Sequence, residues 1–350
     1  MNGTFWTSTT LHDDPLFFVD RGEGLATATL LFPAAQRLTL KSAAGDVEYV
    51  QGRDFELDAP AGRVIRPARS PIPVTTLDEL YTRTDPGAAS FMFKRNDPAT
   101  ILMFSEGDLF HRRQLRASYI HSAEPWHGPV PRADEAALPR TMALLKARAP
   151  IAIAIAGDSI AEGYSASGFL GLPPFEPPWA DRVAGGLHAA HGSAIALHNG
   201  ACAGWTADHG LADVERVAAA APDLVIVAFG MNDSGYASAH DFAGNIAGIV
   251  AGVRRAVPHA EFVLVSPMLP NPEWHYPVME RFAEYRQALG ALRGPGVALA
   301  DVTAIWTELL RRKSVYDLTG NGINHPSDFG HRVYADVILA LLCRSLHRSA

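Results

Sequence analysis

Cysteine is nearly absent: Cys202 and Cys343 are the two in 350 residues. Two thiols make neither a disulfide framework nor a cysteine-rich zinc site, and the polar loops hold no His-x-x-x-His pair, so no metal and no cofactor is expected. Basic charge is in deficit, with 30 Lys and Arg against 37 Asp and Glu and a net charge of −7. That balance argues against a nucleic-acid or anionic-membrane partner. The one dense basic run, Arg311-Arg312-Lys313, reads as a solvated helix end. No apolar run approaches the ~20 residues of a membrane-spanning helix. The N-terminal Met1-Asn-Gly-Thr-Phe-Trp6 lacks a basic stretch followed by an apolar one. No leader is therefore expected, and a cytoplasmic location is. Internal repeats and low-complexity tracts are absent too, and nothing specifies an oligomeric state.

What remains is ordinary globular composition, 48% hydrophobic and 19% charged, enough for a sizeable core. Residues 1–125 are β-rich. Short runs at 25–32, 36–41, 47–50, 54–57 and 63–66 are separated by Gly- and Pro-containing turns, and further runs follow at 101–104 and 114–120. This spacing predicts a small antiparallel β-sandwich, jelly-roll-like in outline. His111, His121 and His127 are scattered and read as surface or loop residues. Residues 126–149 form a connector and a helix over 133–148. From 150 to 350 the pattern changes to strand, loop, helix. Apolar strands are expected at 151–156, 194–197, 224–229, 262–265 and 297–300. Helices are expected near 179–191, 207–220, 240–256, 277–293, 303–312 and 329–347. That alternation predicts an α/β domain of three layers, a five-stranded parallel sheet between helices.

The run Ile151-Ala-Ile-Ala-Ile-Ala-Gly157 carries no charge and stops at Gly157-Asp158-Ser159. The turn after a buried parallel strand lies at the sheet's carboxyl edge, where open α/β sheets bind ligands. A serine there meets a helix N-terminus and its backbone N–H groups, although Asp158 or Ser159 could simply cap that helix. Three more loops carry polar residues: His198-Asn199-Gly200 through Gly204-Trp205-Thr206, then Gly230-Met231-Asn232-Asp233-Ser234, and Gly320-Asn321-Gly322-Ile323-Asn324-His325-Pro326 ahead of the final helix. Helix capping is the alternative for Asn232 and the favoured reading for Asp233. His198, His209 and His275 read as structural or surface residues, and His331 as the start of the last helix.

These four blocks, in this order, resemble the SGNH (GDSL) hydrolases, a family of serine esterases, over about residues 150–347. No Gly-x-Ser-x-Gly elbow surrounds Ser159, so the α/β-hydrolase template does not apply. The resemblance implies Ser159 as nucleophile and His325 as its base. It also implies an oxyanion hole of the Ser159 and Gly204 N–H groups and the Asn232 side-chain amide. A serine hydroxyl needs a base at neutral pH, histidine is suited to that work, and a glycine lets the backbone approach closely.

The sequence departs from the family in one place. The family carries Asp three residues before the histidine, and Gly322 stands there. Asn321 as a shifted equivalent, Asp317 folding back, and a dyad whose histidine donates to a backbone carbonyl are the open alternatives. The loops at 164–179 and 270–276 are rich in proline and aromatics, and Trp179, Trp205 and Trp274 are candidates for stacking on a sugar ring or for packing the loops themselves. A sandwich ahead of an SGNH domain resembles the carbohydrate O-acetylesterases, so the expected substrate is a small-molecule or oligosaccharide ester, with acetyl as the acyl group. A lysophospholipase or thioesterase, and a glycan-binding protein with a decayed hydrolase domain, are the competing expectations.

Overall fold

The computed structural model describes residues 4–85, 90–121 and 126–343; the end of the expected final helix (344–347) lies outside the described residues. The parallel sheet runs in the order Ile195–Asn199, Ile151–Gly157, Leu224–Ala228, Glu261–Val265, Val297–Ala300. Period-two alternation divides its side chains between two cores. Ile151, Ile153, Ile155, Leu224, Ile226, Val263 and Val265 face one cluster, with Trp179, Trp306 and Tyr334. Ala154, Ala156, Val225, Val227, Phe262 and Leu264 face the other, with Phe242, Ile246 and Tyr285. The first strand thus places isoleucine on one face and alanine on the other, both covered. Ile195–Asn199 is an edge strand and half-exposed, where the sequence suggests burial.

The chain leaves the first strand to one side and returns for the third on the other. Their loops diverge at this switch point and open a crevice at the carboxyl edge. Around it the helices include Trp179–His191, Ala239–Ala256, Glu280–Ala291 and Asp328–Leu342. The helix expected over 133–148 begins only at Pro139 (Pro139–Lys146), with proline in its first turn, a position that needs no N–H partner. The helix expected over 207–220 is two, Ala207–Ala212 and Val214–Ala219.

The first half holds two main sheets. One is antiparallel, in the order Thr10–Phe17, Gln114–His121, Ala35–Ser42, Glu48–Tyr49. The other joins Glu56–Asp58, Arg63–Ile65, Thr27–Thr29, Val19–Asp20 and Thr75–Thr76, with only the last pair parallel. A small third sheet of Phe93–Lys94, Asp97–Leu102 and Tyr81–Arg83 leans on the second half. There the Arg95 guanidinium donates to the carbonyls of Pro272, Trp274 and Pro277. One buried apolar cluster includes Leu16, Leu40 and Tyr119 of the first half together with Ile153, Trp306 and Phe329 of the second.

Two sequence expectations fail at this seam. In the basic run 311–313 Arg311 is exposed, but the other two residues turn inward. Lys313 is buried, pairs with Asp14 Oδ1 at 3.0 Å and donates to the Thr29 carbonyl at 2.7 Å, while Arg312 donates to the carbonyls of Leu30 and Ala61. His121 is no surface residue either. Its ring stacks on Phe32 at 4.0 Å and bonds the Ser8 carbonyl, and burial lowers its pKa. Among the described residues no helix is long and apolar enough to cross a membrane.

Candidate active site

Ser159 opens the short helix Ser159–Glu162, capped by the Asp158 side chain, which accepts from the Ile160 N–H at 2.9 Å. The turn between strand and helix is tight. A Cβ on Gly157 would fall 2.5 Å from the Ala161 Cβ and 2.8 Å from the Ala228 carbonyl oxygen. Asp158 is buried behind the serine. Desolvation, with the charge of Asp233 adding to it, pushes its pKa up to about 7.

His325 arrives from the other end of the domain. Asn321 Oδ1 accepts the N–H groups of Ile323, Asn324 and His325 at 3.0, 3.0 and 3.1 Å. That folds the segment into a turn that presents the imidazole. Its Nε2 lies 2.8 Å from Ser159 Oγ, and both residues are buried. The Tyr164 ring packs 5.2 Å from the imidazole.

Gly204 lies on an exposed loop with φ 78°, and a Cβ there would meet open space. The loop is held against the Ser159 turn by Cys202 N–H to the Gly157 carbonyl (3.1 Å) and Ala203 N–H to Glu162 Oε2 (2.8 Å). Asn232 does not cap the turn it begins. Its Nδ2 donates to the Trp205 carbonyl at 2.8 Å, and its own carbonyl accepts from the Tyr276 hydroxyl at 2.7 Å. One N–H of the amide is therefore fixed, which sets the direction of the second. Asp233 does cap a helix, but not the next one. Its Oδ1 accepts from Ala207 N–H, and burial pushes its pKa up to about 6.

None of the expected third partners touches the imidazole. Asp317 forms a capping box with Ser314 and accepts from the Phe17 N–H at 2.7 Å. Asn321 bonds backbone, not the ring. No carbonyl takes the inner nitrogen. His325 Nδ1 instead lies 2.9 Å from Glu106 Oε2, a carboxylate of the first half, and Asn321 Nδ2 donates to Glu106 Oε1 at 3.2 Å. Nothing local in Ser105-Glu106-Gly107-Asp108 marks this residue. The one signal is indirect: a glycine where the family carries an acid.

The remaining expectations sort by burial. His331 lies within the last helix and is buried. Its Nδ1 accepts from Trp179 N–H, its Nε2–H donates to the Tyr164 carbonyl, and desolvation lowers its pKa to about 3, so it is neutral and structural. His198 is exposed on the edge strand. His209 stacks beside Trp205 and bonds Thr206, and His275 bonds the Phe93 carbonyl. Trp179 and Trp274 are fully buried, with their N–H groups on the carbonyls of Ile160 and Phe91. They pack the loops and leave no face for a sugar, whereas Trp205 stays half-exposed. Among the described residues no group of three His, Cys, Asp or Glu side chains is placed to hold a metal ion.

The model of the GDSL-like lipase/acylhydrolase family matches residues 155–333, just over half of the chain. The chain belongs to this family. No curated protein matches it. Among solved structures, a two-domain esterase active on acetylated mannans is similar at 22% identity and a TM-score of 0.50, over 63% of this chain and 56% of its own. The chain thus spans about half the length of that esterase. An acetylxylan esterase from Geobacillus stearothermophilus (20% identity, TM-score 0.46, 57% of this chain and 97% of its own) and a lipase from a goat rumen metagenome (15%, 0.45, 55% and 99%) are further similar structures.

Proposed function

We propose that this protein is a serine esterase that removes small acyl groups, acetyl foremost, from a carbohydrate. The observation that carries the reading is the 2.8 Å contact between Ser159 Oγ and His325 Nε2, within hydrogen-bond reach for a nucleophile and its base. In the reaction, His325 Nε2 takes the Ser159 proton as Oγ attacks the acyl carbon. The tetrahedral oxyanion is received by the N–H groups of Ser159 and Gly204 and the free N–H of the Asn232 amide, whose bond to Trp205 keeps it aimed. One such donor contributes about 10²–10³ in kcat. The imidazolium then returns its proton to the leaving sugar oxygen, and water enters by the same base to release the carboxylic acid.

Support for a carbohydrate comes from the rim. Exposed Phe169 packs on Tyr164, which packs on His325. On the other flank exposed Phe91 packs on Tyr276, which holds Asn232. The site thus lies between two aromatic flanks, and aromatic faces suit the apolar faces of sugars. The two-domain esterase of like fold acts on acetylated mannans, which motivates the choice of test substrates.

The test is labelling with a fluorophosphonate and turnover of p-nitrophenyl acetate, butyrate and octanoate, followed by acetate release from acetylated oligosaccharides. The expected result is labelling at Ser159, a preference for acetate, and near-complete loss of turnover in Ser159→Ala with the fold retained. Preference for octanoate would point to a lipid ester instead. No labelling and no turnover would point to a decayed hydrolase.

A further inference from the structure

Glu106 stands outside every residue that the family resemblance supplies, and it comes from the half of the chain that the family match does not cover. Its Oε2 is 2.9 Å from His325 Nδ1 and its Oε1 takes the Asn321 amide at 3.2 Å. Both carboxylate oxygens are thus directed at the histidine turn. The loop that carries it is clamped at each end. Before it, Met103 N–H bonds the Leu80 carbonyl. After it, buried Phe110 stacks on Phe17 at 5.8 Å and Tyr316 at 6.4 Å. Gln114 Nε2 then donates to the carbonyls of Tyr316, Asp317 and Thr319. The second clamp grips the segment that leads into His325, so the carboxylate and the imidazole are built onto one seam.

The same seam explains the glycine in the family's acid position. Gly322 has φ 80°, and a Cβ there would sit 2.2 Å from the Phe110 ring and 2.9 Å from the Met103 carbonyl oxygen. The residues flanking Glu106 occupy the space that an acid at 322 would need.

We infer that Glu106 is the positioning acid of the Ser159–His325 pair, supplied by the β-rich first half in place of an acid at 322. The inference rests on the esterase reading above. Glu106 accepts the Nδ1–H, fixes the tautomer that leaves Nε2 free to take the serine proton, and stabilises the imidazolium that forms; it takes no proton itself. The first half is then a part of the catalytic machinery and not an appendage to it.

The experiment compares the full chain with Glu106→Gln, Glu106→Asp and Ser159→Ala on p-nitrophenyl acetate, reading kcat and KM separately and adding thermal melts. Expected for Glu106→Gln is a fall in kcat of ~10³-fold or more with KM within about threefold, because an amide in place of the carboxylate favours the wrong tautomer. Glu106→Asp should recover at least about tenfold over Gln, and this arm decides if the Gln variant melts far below wild type. Turnover lost in Ser159→Ala but within about threefold of wild type in Glu106→Gln would overturn the inference alone. Equal losses in Gln and Asp, with KM rising alongside the fall in kcat, would reduce Glu106 to a structural role and overturn it too. Turnover surviving Ser159→Ala would overturn the esterase reading and this inference with it.

Discussion

A left-handed backbone at residue 322, with Phe110 and Met103 against it, makes a side chain there costly in two independent ways. A non-glycine residue pays roughly 1–2 kcal/mol for the left-handed conformation, and forcing atoms into an occupied space adds roughly 1–3 kcal/mol. Gly322→Asp, which restores the family pattern on paper, should therefore destabilise the protein by about 2–5 kcal/mol in urea denaturation. It should also fail to restore turnover to Glu106→Gln. A variant as stable as wild type that rescues turnover would show that the acid position at 322 is still usable. The positions of the candidates Ser159, Gly204, Asn232 and His325 were legible in the sequence, since each sits in a loop next to a strand or helix end, and the structure brings Ser159 and His325 to 2.8 Å. Glu106 was not, because its position relative to His325 is set by the packing of two distant halves. Burial was equally hidden for Trp179 and Trp274, since aromatic content alone does not say which face is covered.

At the scale of elements, the short helix after strand Ile151–Gly157 depends on a cap with an unusual charge state. Asp158 caps Ser159–Glu162 while burial raises its pKa to about 7, against ~3.9 for an unperturbed Asp. A carboxyl that holds its proton more tightly folded than unfolded contributes stability that is full below about pH 4. That stability is lost as pH rises through about 7. His331, lowered by burial to about 3, has the opposite slope: its contribution is present above ~6.5 and lost as pH falls. The wild-type curve therefore mixes the two, and the informative measurement is the difference from a variant. Asparagine also caps and does not titrate. Asp158→Asn should gain stability relative to wild type between pH 4 and 7, by up to roughly 4 kcal/mol at ~1.4 kcal/mol per pKa unit. Thermal melts at several pH values read this directly; parallel curves would refute it. The elements themselves were legible where periodicity was unbroken. The expected helix 179–191 coincides with Trp179–His191, and the five parallel strands fall within a few residues of their apolar runs. Thr10–Phe17 escaped because Asp13-Asp14-Pro15 interrupts it. There Asp13 adopts φ 54° and the pairing register shifts between Leu11 and Asp14, and the buried Asp14 finds its partners only across the fold.

Those partners bear on the stability of the whole molecule. Asp14 Oδ2 accepts from the Leu31 N–H and the Tyr119 hydroxyl, and Oδ1 faces Lys313 at 3.0 Å with both side chains fully buried. A buried pair adds little net stability over an apolar replacement, but removing one partner strands a charge, at a cost of about 3–5 kcal/mol. Lys313→Ala should therefore be severely destabilising, while Asp14→Asn combined with Lys313→Met should cost much less than the sum of the single changes. Because one apolar cluster spans both halves, wild type should unfold in urea in a single transition, coincident by tryptophan fluorescence and far-ultraviolet circular dichroism. Lys313 stands four residues before Asp317, whose carboxylate takes the Phe17 N–H and whose carbonyl takes Gln114. Loosening the seam there should separate Glu106 from His325 before the sheet itself opens, so Lys313→Ala should lose turnover at urea concentrations below its unfolding midpoint. Two separated transitions in wild type, or a Lys313→Ala variant within about 1 kcal/mol of it, would mean that the halves are not held together by this pair and the shared core.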